Sequence, residues 1–124
     1  MILNTARVFV SDLHSAHSFY ADQLGLSLKF GGSNMGYCVY DAGPCQLVVE
    51  TVAADAPADD QALVGRFTGL SFKVDDLAQV FEQLKATGVV FTASPKQEAW
   101  GGMVATLLDP AGNELQLCQY PDVS

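Results

Sequence analysis

The chain has 124 residues, of which 49% are apolar and 16% are charged, and its formal net charge is −8. This length fits one domain, and the apolar fraction excludes an intrinsically disordered chain. The acidic balance argues against a nucleic-acid-binding surface, because binding to phosphates needs clustered Lys and Arg. No apolar run approaches the ~18 residues of a membrane span.

The first half of the chain predicts a strand, a helix and three further strands. Apolar residues recur at helical spacing at Leu13, Ala16, Tyr20 and Leu24. Ser11 or Asp12 can cap the start of this helix, and Gly25 ends it. Strands are expected at residues 5–10, 27–30, 36–41 and 45–52, with a turn at 31–34.

The second half repeats this order after a stretch of different composition. Residues 53–66 are rich in Ala and Asp and contain Pro57, which predicts a linker. An apolar stripe from Leu77 to Leu84 then predicts a helix that Gly88 ends. Strands are expected at residues 68–74, 89–92, 102–108 and 113–119, with a loop at 93–101.

The order β-α-β-β-β therefore occurs twice. Val10-Ser11-Asp12-Leu13 and Val74-Asp75-Asp76-Leu77 mark the same point in each half. We expect an α+β fold in a single domain over residues 1–124, with module one at 1–52, the linker at 53–66 and module two at 67–124. A sheet with a helix on one face leaves the other face to be covered or to bind a ligand.

Two motifs carry a resemblance to a known family. The first runs from Val10-Ser11-Asp12-Leu13 through Phe19-Tyr20 to Leu24-Gly25, and the second runs from Trp100-Gly101-Gly102 to Leu108-Asp109-Pro110-Ala111-Gly112-Asn113-Glu114-Leu115. Both resemble signatures of the vicinal oxygen chelate superfamily, which includes glyoxalase I, bleomycin resistance proteins and extradiol dioxygenases. The resemblance implies two βαβββ modules with curled mixed sheets around a shared cleft and helices on the outer faces.

The resemblance also implies four positions for metal ligands, on the first and fourth strands of each module. In this chain they fall on Thr5, near Glu50, on Gly69 and on Gln116. Gly69 has no donor and Thr5 is a poor ligand, so the remaining two would not hold a catalytic ion. We expect no metal and no cofactor. His14 and His17 do not replace the missing ligands, because their helix is expected on the outer face.

Strand alternation predicts which side chains face the cleft. The charged and polar candidates for ligand binding are Arg7, Glu50, Ser71, Lys73 and Gln116. The candidates for aromatic and flexible walls are Phe9, Tyr37, Trp100 and Met103, with Met35 and Tyr40 in addition. This mixture suits a small organic ligand. Arg7 and Glu50 either bind the ligand or form an ion pair with each other.

Two kinds of function stay open. The resemblance implies a small-molecule-binding protein without the metal ligands, such as one that sequesters a drug or toxin in the manner of the bleomycin resistance proteins. The alternative is a glyoxalase-like lyase, epimerase or dioxygenase, either metal-free with Glu50 as a catalytic general base or with a degraded metal site. One sequence does not decide whether the protein is an enzyme.

The expected partners follow from the same features. The chain has three cysteines, Cys38, Cys45 and Cys118, and an odd number without CxxC spacing indicates a reducing compartment, the cytoplasm. A small molecule is the expected ligand, with no nucleic acid and no membrane. The resemblance implies a homodimer, and open sheet edges favour pairing.

Overall fold

A computed structural model describes residues 1–122 and divides the chain into two compact units. The first unit is Met1–Arg66 together with Pro110–Asn113. The second is Phe67–Asp109 together with residues 114–122. Each unit contains one four-stranded mixed sheet, so the predicted α+β class with two βαβββ modules is confirmed.

The first unit is built on four strands in the order β1-β4-β3-β2, with β1 parallel to β4 and the other pairs antiparallel. The strands are β1 (Thr5–Val10), β2 (Ser27–Gly32), β3 (Tyr37–Asp41) and β4 (Gln46–Thr51). A short 3₁₀ turn at Ser33–Met35 joins β2 to β3. The core of the first unit comes from alternate strand residues, including Val8, Val10, Leu47 and Val49.

The first helix starts as predicted but changes its winding. Helix α1 (Leu13–His17) is capped by the Asp12 side chain, which accepts from the His14 amide at 3.0 Å. From Ser18 to Gln23 the chain forms a π-helix, so the prediction of one α-helix was wrong there. Phe19 and Tyr20 are consecutive and both buried, and within this wider turn their rings contact each other edge to face, with centroids 4.8 Å apart.

The segment expected as a linker carries structure of its own. It contains helix α2 (Ala58–Gln61), and the Gln61 side-chain amide donates to the carbonyls of Ala53 and Ala54 at 2.8 and 2.7 Å. Its end pairs with the first sheet through a bridge between Phe9 and Val64. These bonds hold the segment on the end of β1, within the first unit.

The second unit repeats the pattern with strand order β5-β8-β7-β6. Its elements are β5 (Phe67–Lys73), α3 (Leu77–Ala86), β6 (Val90–Gln97), β7 (Met103–Leu108) and β8 (Glu114–Gln119). Asp76 caps α3 by accepting from the Gln79 amide at 3.1 Å. The prediction of a loop from residue 93 was wrong, because β6 continues to Gln97 with two irregularities in register. Pro95 fits there because β6 is an edge strand.

Candidate functional site

The first sheet has one face packed on its helix and one open face. Arg7 and Phe9 alternate with the buried Val8 and Val10, so they lie on the open face as predicted. The register places Glu50 beside Phe9 and Tyr37 beside Glu50, on that same face. The open face of the first unit therefore combines two aromatic rings with a cation and an anion.

Tyr40 is not part of this face, so its prediction as a wall residue was wrong. It is fully buried on the helix side, and its hydroxyl lies 2.7 Å from Nδ1 of His17. Burial raises the pKa of Tyr40 above its ordinary value, and the neighbouring Cys38 adds to this shift. Tyr40 thus belongs to the core, where its hydroxyl is hydrogen-bonded to the half-buried His17.

A pocket of about 230 Å³ lies at one end of the open face. It is lined by Phe9, Glu50, Thr51, Val52, Ala53, Ala56, Asp60 and Leu63. Four of these residues come from the segment 53–66, which sequence reasoning treated as a linker. In the sequence, only the apolar Leu63-Val64 pair within this Ala- and Asp-rich stretch indicated that the segment packs against the rest of the first unit.

Arg7 and Glu50, which the sequence predicts either to bind the ligand or to pair with each other, form an ion pair in the structure. Arg7 Nε lies 3.7 Å from Glu50 Oε1, and the two side chains are 53% and 43% exposed. An ion pair this exposed is worth about 0–1 kcal/mol, because solvent screens it. The pair therefore contributes little stability, but it offsets the charge of Arg7 at the edge of the pocket.

Asn113 holds the wall of this pocket in place. Its side chain is buried, and its Oδ1 accepts from the amides of Gly65 and Arg66 at 2.9 and 3.2 Å. Its Nδ2 donates to the carbonyl of Phe9 at 2.8 Å. One side chain therefore ties the end of the segment 53–66 to the strand residue that lines the pocket.

The second sheet presents a different set of side chains on its open face. Ser71, Lys73 and Gln116 lie there, and Ser71 Oγ donates to Gln116 Oε1 at 3.4 Å. Met103 lies on the opposite, helix-facing side. It pairs with Gln119, whose side chain accepts from the first amide of α3. The second unit thus gathers three of its predicted site residues on one face and separates Met103 from them.

Trp100 lies next to Tyr120, a residue that sequence reasoning did not single out. The two ring centroids are 5.7 Å apart at 59°, and the side chains are 51% and 55% exposed. Gly102 makes room for the indole, because a Cβ at that position would overlap the Trp100 ring and lie 2.6 Å from the Gln119 carbonyl oxygen. Two exposed rings therefore form an aromatic surface on the second unit.

The strand register corrects one of the predicted metal-ligand positions. Arg7 and Ser71 occupy the same place in the two modules, three residues before the valine that precedes each helix cap. Ser71 pairs with Gln116, whereas Arg7 pairs with Val48. The first-module counterpart of Gln116 is therefore Val48 and not Glu50.

The corrected positions do not fit a divalent metal. They carry Thr5, Val48, Gly69 and Gln116, of which only the first and last have side-chain oxygens. Thr5 Oγ1 accepts from Asn4 at 3.1 Å, and Gln116 Oε1 accepts from Ser71. Within residues 1–122 no group of three or more His, Cys, Asp or Glu side chains could hold a metal ion. In the same described range, no helix is long and apolar enough to cross a membrane.

Known proteins with this arrangement were found by sequence and by structure. A family model described as the Glyoxalase/Bleomycin resistance protein/Dioxygenase superfamily matches residues 2–117. A bleomycin resistance protein from Klebsiella pneumoniae is 30% identical over 115 residues, which are 87% of this chain and 84% of that protein.

Two solved structures extend the likeness to nearly the whole chain. A superfamily member from Sphaerobacter thermophilus is 27% identical with a TM-score of 0.78, covering 96% of this chain and 97% of that one. TnmS3, an antibiotic binding protein from a Streptomyces species, is 26% identical with a TM-score of 0.75, covering 98% of this chain and 97% of that one.

Proposed function

Because this chain belongs to the glyoxalase/bleomycin resistance protein/dioxygenase superfamily, we propose that it binds a small organic molecule and sequesters it, as a drug- or toxin-binding protein. The observation that carries this proposal is the pocket at Phe9, Glu50 and Asp60, where apolar walls meet two carboxylates. Small-molecule sites combine apolar walls with a few placed polar groups in this way.

The chemistry of the metal positions also supports binding. Val48 and Gly69 offer no donor atoms where the metal enzymes of the family hold an ion. The relatives point in the same direction, since one is named for bleomycin resistance and another for antibiotic binding. We therefore propose ligand sequestration as the function of the site and assign no reaction to it.

Glu50 supports binding better than proton transfer. Its Oε1 lies 3.7 Å from Arg7 Nε, so a cation stands beside the carboxylate that a metal-free enzyme would use as its base. In the proposed site the pair contributes a polar, nearly neutral edge to the pocket. The negative charge of Glu50 is offset by Arg7, whereas the carboxylate of Asp60 has no ion-pair or hydrogen-bond partner among the described residues. Asp60 therefore gives the pocket its uncompensated negative charge.

Isothermal titration calorimetry with bleomycin tests the drug-binding form of this proposal. A cationic drug is favoured by the chain's net charge of −8 and by Asp60 in the pocket. We expect saturable binding, weakened about tenfold by Asp60→Asn, which corresponds to about 1.4 kcal/mol.

Asp59→Asn is the matched control, because Asp59 lies beside Asp60 in the first turn of α2 but does not line the pocket. This variant should bind as the unaltered protein does. Absence of heat at millimolar bleomycin would remove the drug from the proposal. Equal weakening by both variants would show that the pocket is not where the charge acts.

We also propose that the protein acts as a cytoplasmic homodimer. Edge strand β2 exposes Leu28 and Phe30, and an exposed apolar edge favours pairing with a second copy. Sedimentation velocity should show a species of twice the 13.2 kDa chain mass. A monomer across the micromolar range would contradict the dimer without affecting the binding proposal.

A further inference from the structure

The open face of the second sheet carries an ammonium group with no carboxylate partner. Lys73 ends β5 and is exposed, and none of residues 1–122 places a carboxylate at ion-pair distance from its Nζ. The Nζ atom lies over the ring of Tyr120, 5.5 Å from the ring centroid. The first unit differs in this respect, because there Arg7 is neutralised by Glu50.

The groups beside Lys73 add hydrogen-bond donors and no negative charge. Ser71 Oγ donates to Gln116 Oε1, and this leaves the Gln116 amide nitrogen with its two N–H donors. On the other side of Ser71, Gly69 has no side chain, and a Cβ there would meet only the Phe67 ring at 3.8 Å. The face is therefore open at Gly69, and it carries an amide donor at Gln116 and a cation at Lys73.

An aromatic surface adjoins these donors. Tyr120 contacts Lys73 on one side and Trp100 on the other, so the ammonium and the two rings form one continuous group. Both rings are about half exposed. Exposed aromatic faces stack on flat apolar ligands, and such contacts are worth about 0.5–1.5 kcal/mol beyond the buried area.

We propose that the second unit binds a planar aromatic molecule that carries an oxyanion, such as a carboxylate or a phenolate, and that Lys73 binds the oxyanion directly. The ring lies on Tyr120 and Trp100, while Gln116 Nε2 donates to the same oxygen group. The ammonium of Lys73 supplies the positive charge that the ligand's oxygens need.

This inference rests on the proposed function only in taking small organic molecules as the ligands. It adds the chemical group that the second unit recognises. A charge-assisted hydrogen bond is stronger than a neutral one, so the anionic form of a ligand should bind more tightly than a neutral form of the same shape. The ion pair formed is partly exposed, so its strength should fall as salt is added.

Titration with 2-naphthoate and with 2-naphthamide tests the inference, since the two probes share a ring system and differ in charge. Calorimetry gives the affinities. The single tryptophan, Trp100, provides one indole N–H signal in a ¹⁵N-correlated NMR spectrum that reports the place of binding. We expect about tenfold tighter binding of 2-naphthoate, equivalent to about 1.4 kcal/mol, with a shift of the Trp100 signal.

Lys73→Met should remove the preference for 2-naphthoate while leaving the weaker binding of 2-naphthamide unchanged. Lys85→Met is the matched control, because Lys85 also lies 5.5 Å from a ring centroid, that of Phe81, but on helix α3. Lys85→Met should keep the full preference. Thermal melting confirms that both variants fold, which is expected because both lysines are exposed.

Three results would each overturn the inference. The first is equal affinity for the two probes, which includes the case in which neither binds. The second is a preference for 2-naphthoate that survives Lys73→Met, and the third is binding that leaves the Trp100 signal in place. Failure of bleomycin to bind would leave these results untouched and would count only against the drug-binding proposal. Conversely, bleomycin binding that Asp60→Asn weakens, together with no preference for 2-naphthoate, would retain the proposed function and remove the role of Lys73.

Discussion

Asn113 ties three backbone groups of the first unit together through one buried side chain, and its replacement by Ala tests these bonds directly. The side chain is 1% exposed and makes hydrogen bonds to Gly65, Arg66 and Phe9. Asn113→Ala leaves two amide donors and one carbonyl oxygen without these partners. The methyl group cannot replace any of the three bonds.

The expected loss of stability is large. A buried polar group that loses its partner costs about 1–3 kcal/mol. Three such groups would cost several kcal/mol if all stayed dry, and water reaching the Gly65–Arg66 amides at the chain surface lowers the sum. We expect a loss of about 3 kcal/mol in the free energy of unfolding. With a urea m-value of about 1.5 kcal/mol per molar, the midpoint falls by about 2 M.

Urea unfolding followed by circular dichroism at pH 7 measures this loss. Asn4→Ala is the control, because Asn4 is exposed and its side chain donates only to the neighbouring Thr5. That variant should change the free energy of unfolding by less than about 0.5 kcal/mol. If Asn113→Ala also cost under about 1 kcal/mol, the three bonds would not hold the pocket wall, and the reasoning would be wrong.

Two further substitutions test the packing around Trp100 and the buried hydroxyl of Tyr40. Gly102→Ala should displace the Trp100 indole, shift its fluorescence emission and lower the free energy of unfolding by about 1–3 kcal/mol. Gly32→Ala is the control, since a Cβ there has its nearest contact at 3.4 Å, and it should lower the free energy of unfolding by less than about 1 kcal/mol. An unchanged Trp100 emission spectrum in Gly102→Ala would contradict the overlap. Tyr40→Phe removes the bond to His17 and should cost about 1–2 kcal/mol at pH 7. Burial raises the pKa of Tyr40 above the ordinary value of about 10, so above pH 10 the unfolded chain loses the Tyr40 proton more readily than the folded protein does. The unaltered protein therefore loses stability as pH rises past 10 toward the folded-state pKa. The difference in free energy of unfolding between it and Tyr40→Phe should shrink in urea titrations at pH 9 to 11. A pH-independent difference would show that Tyr40 does not stay neutral in the folded state.

Local patterns predicted most of the elements because they depend on neighbours in the chain. The stripe from Leu77 to Leu84 predicted α3, and Asp12 and Asp76 cap their helices as short-range side-chain acceptors do. Strand alternation likewise placed Arg7 on the open face, because the side-chain period of two is a property of any strand. It did not predict the extension of β6 through Pro95, which depends on β6 being an edge strand.

The site shows where sequence spacing stops being sufficient. The resemblance to the family put a metal-ligand position near Glu50, but the pairing of Arg7 with Val48 moves it by two residues. The register of a sheet is set by the pairing between strands. A motif along one strand can therefore predict the correct face for a residue and still assign a site position to the wrong residue on that face. The pocket was missed for a similar reason, since Asp60 and Leu63 belong to a segment whose local composition is that of a linker.

The sequence by itself therefore determined the class of fold, the two modules and the face of strand residues such as Arg7, Phe9 and Ser71, but not that of Tyr40 and Met103. It also determined that the metal positions lack a full set of donors, because Gly69 has no side chain in any conformation. Only the tertiary structure decided that Arg7 is neutralised while Lys73 is not, and that Asn113 bonds to residues far away in the chain. The physical reason is that periodicity and capping are interactions of near neighbours, whereas charge pairing and buried hydrogen bonds depend on which strands meet and in which register.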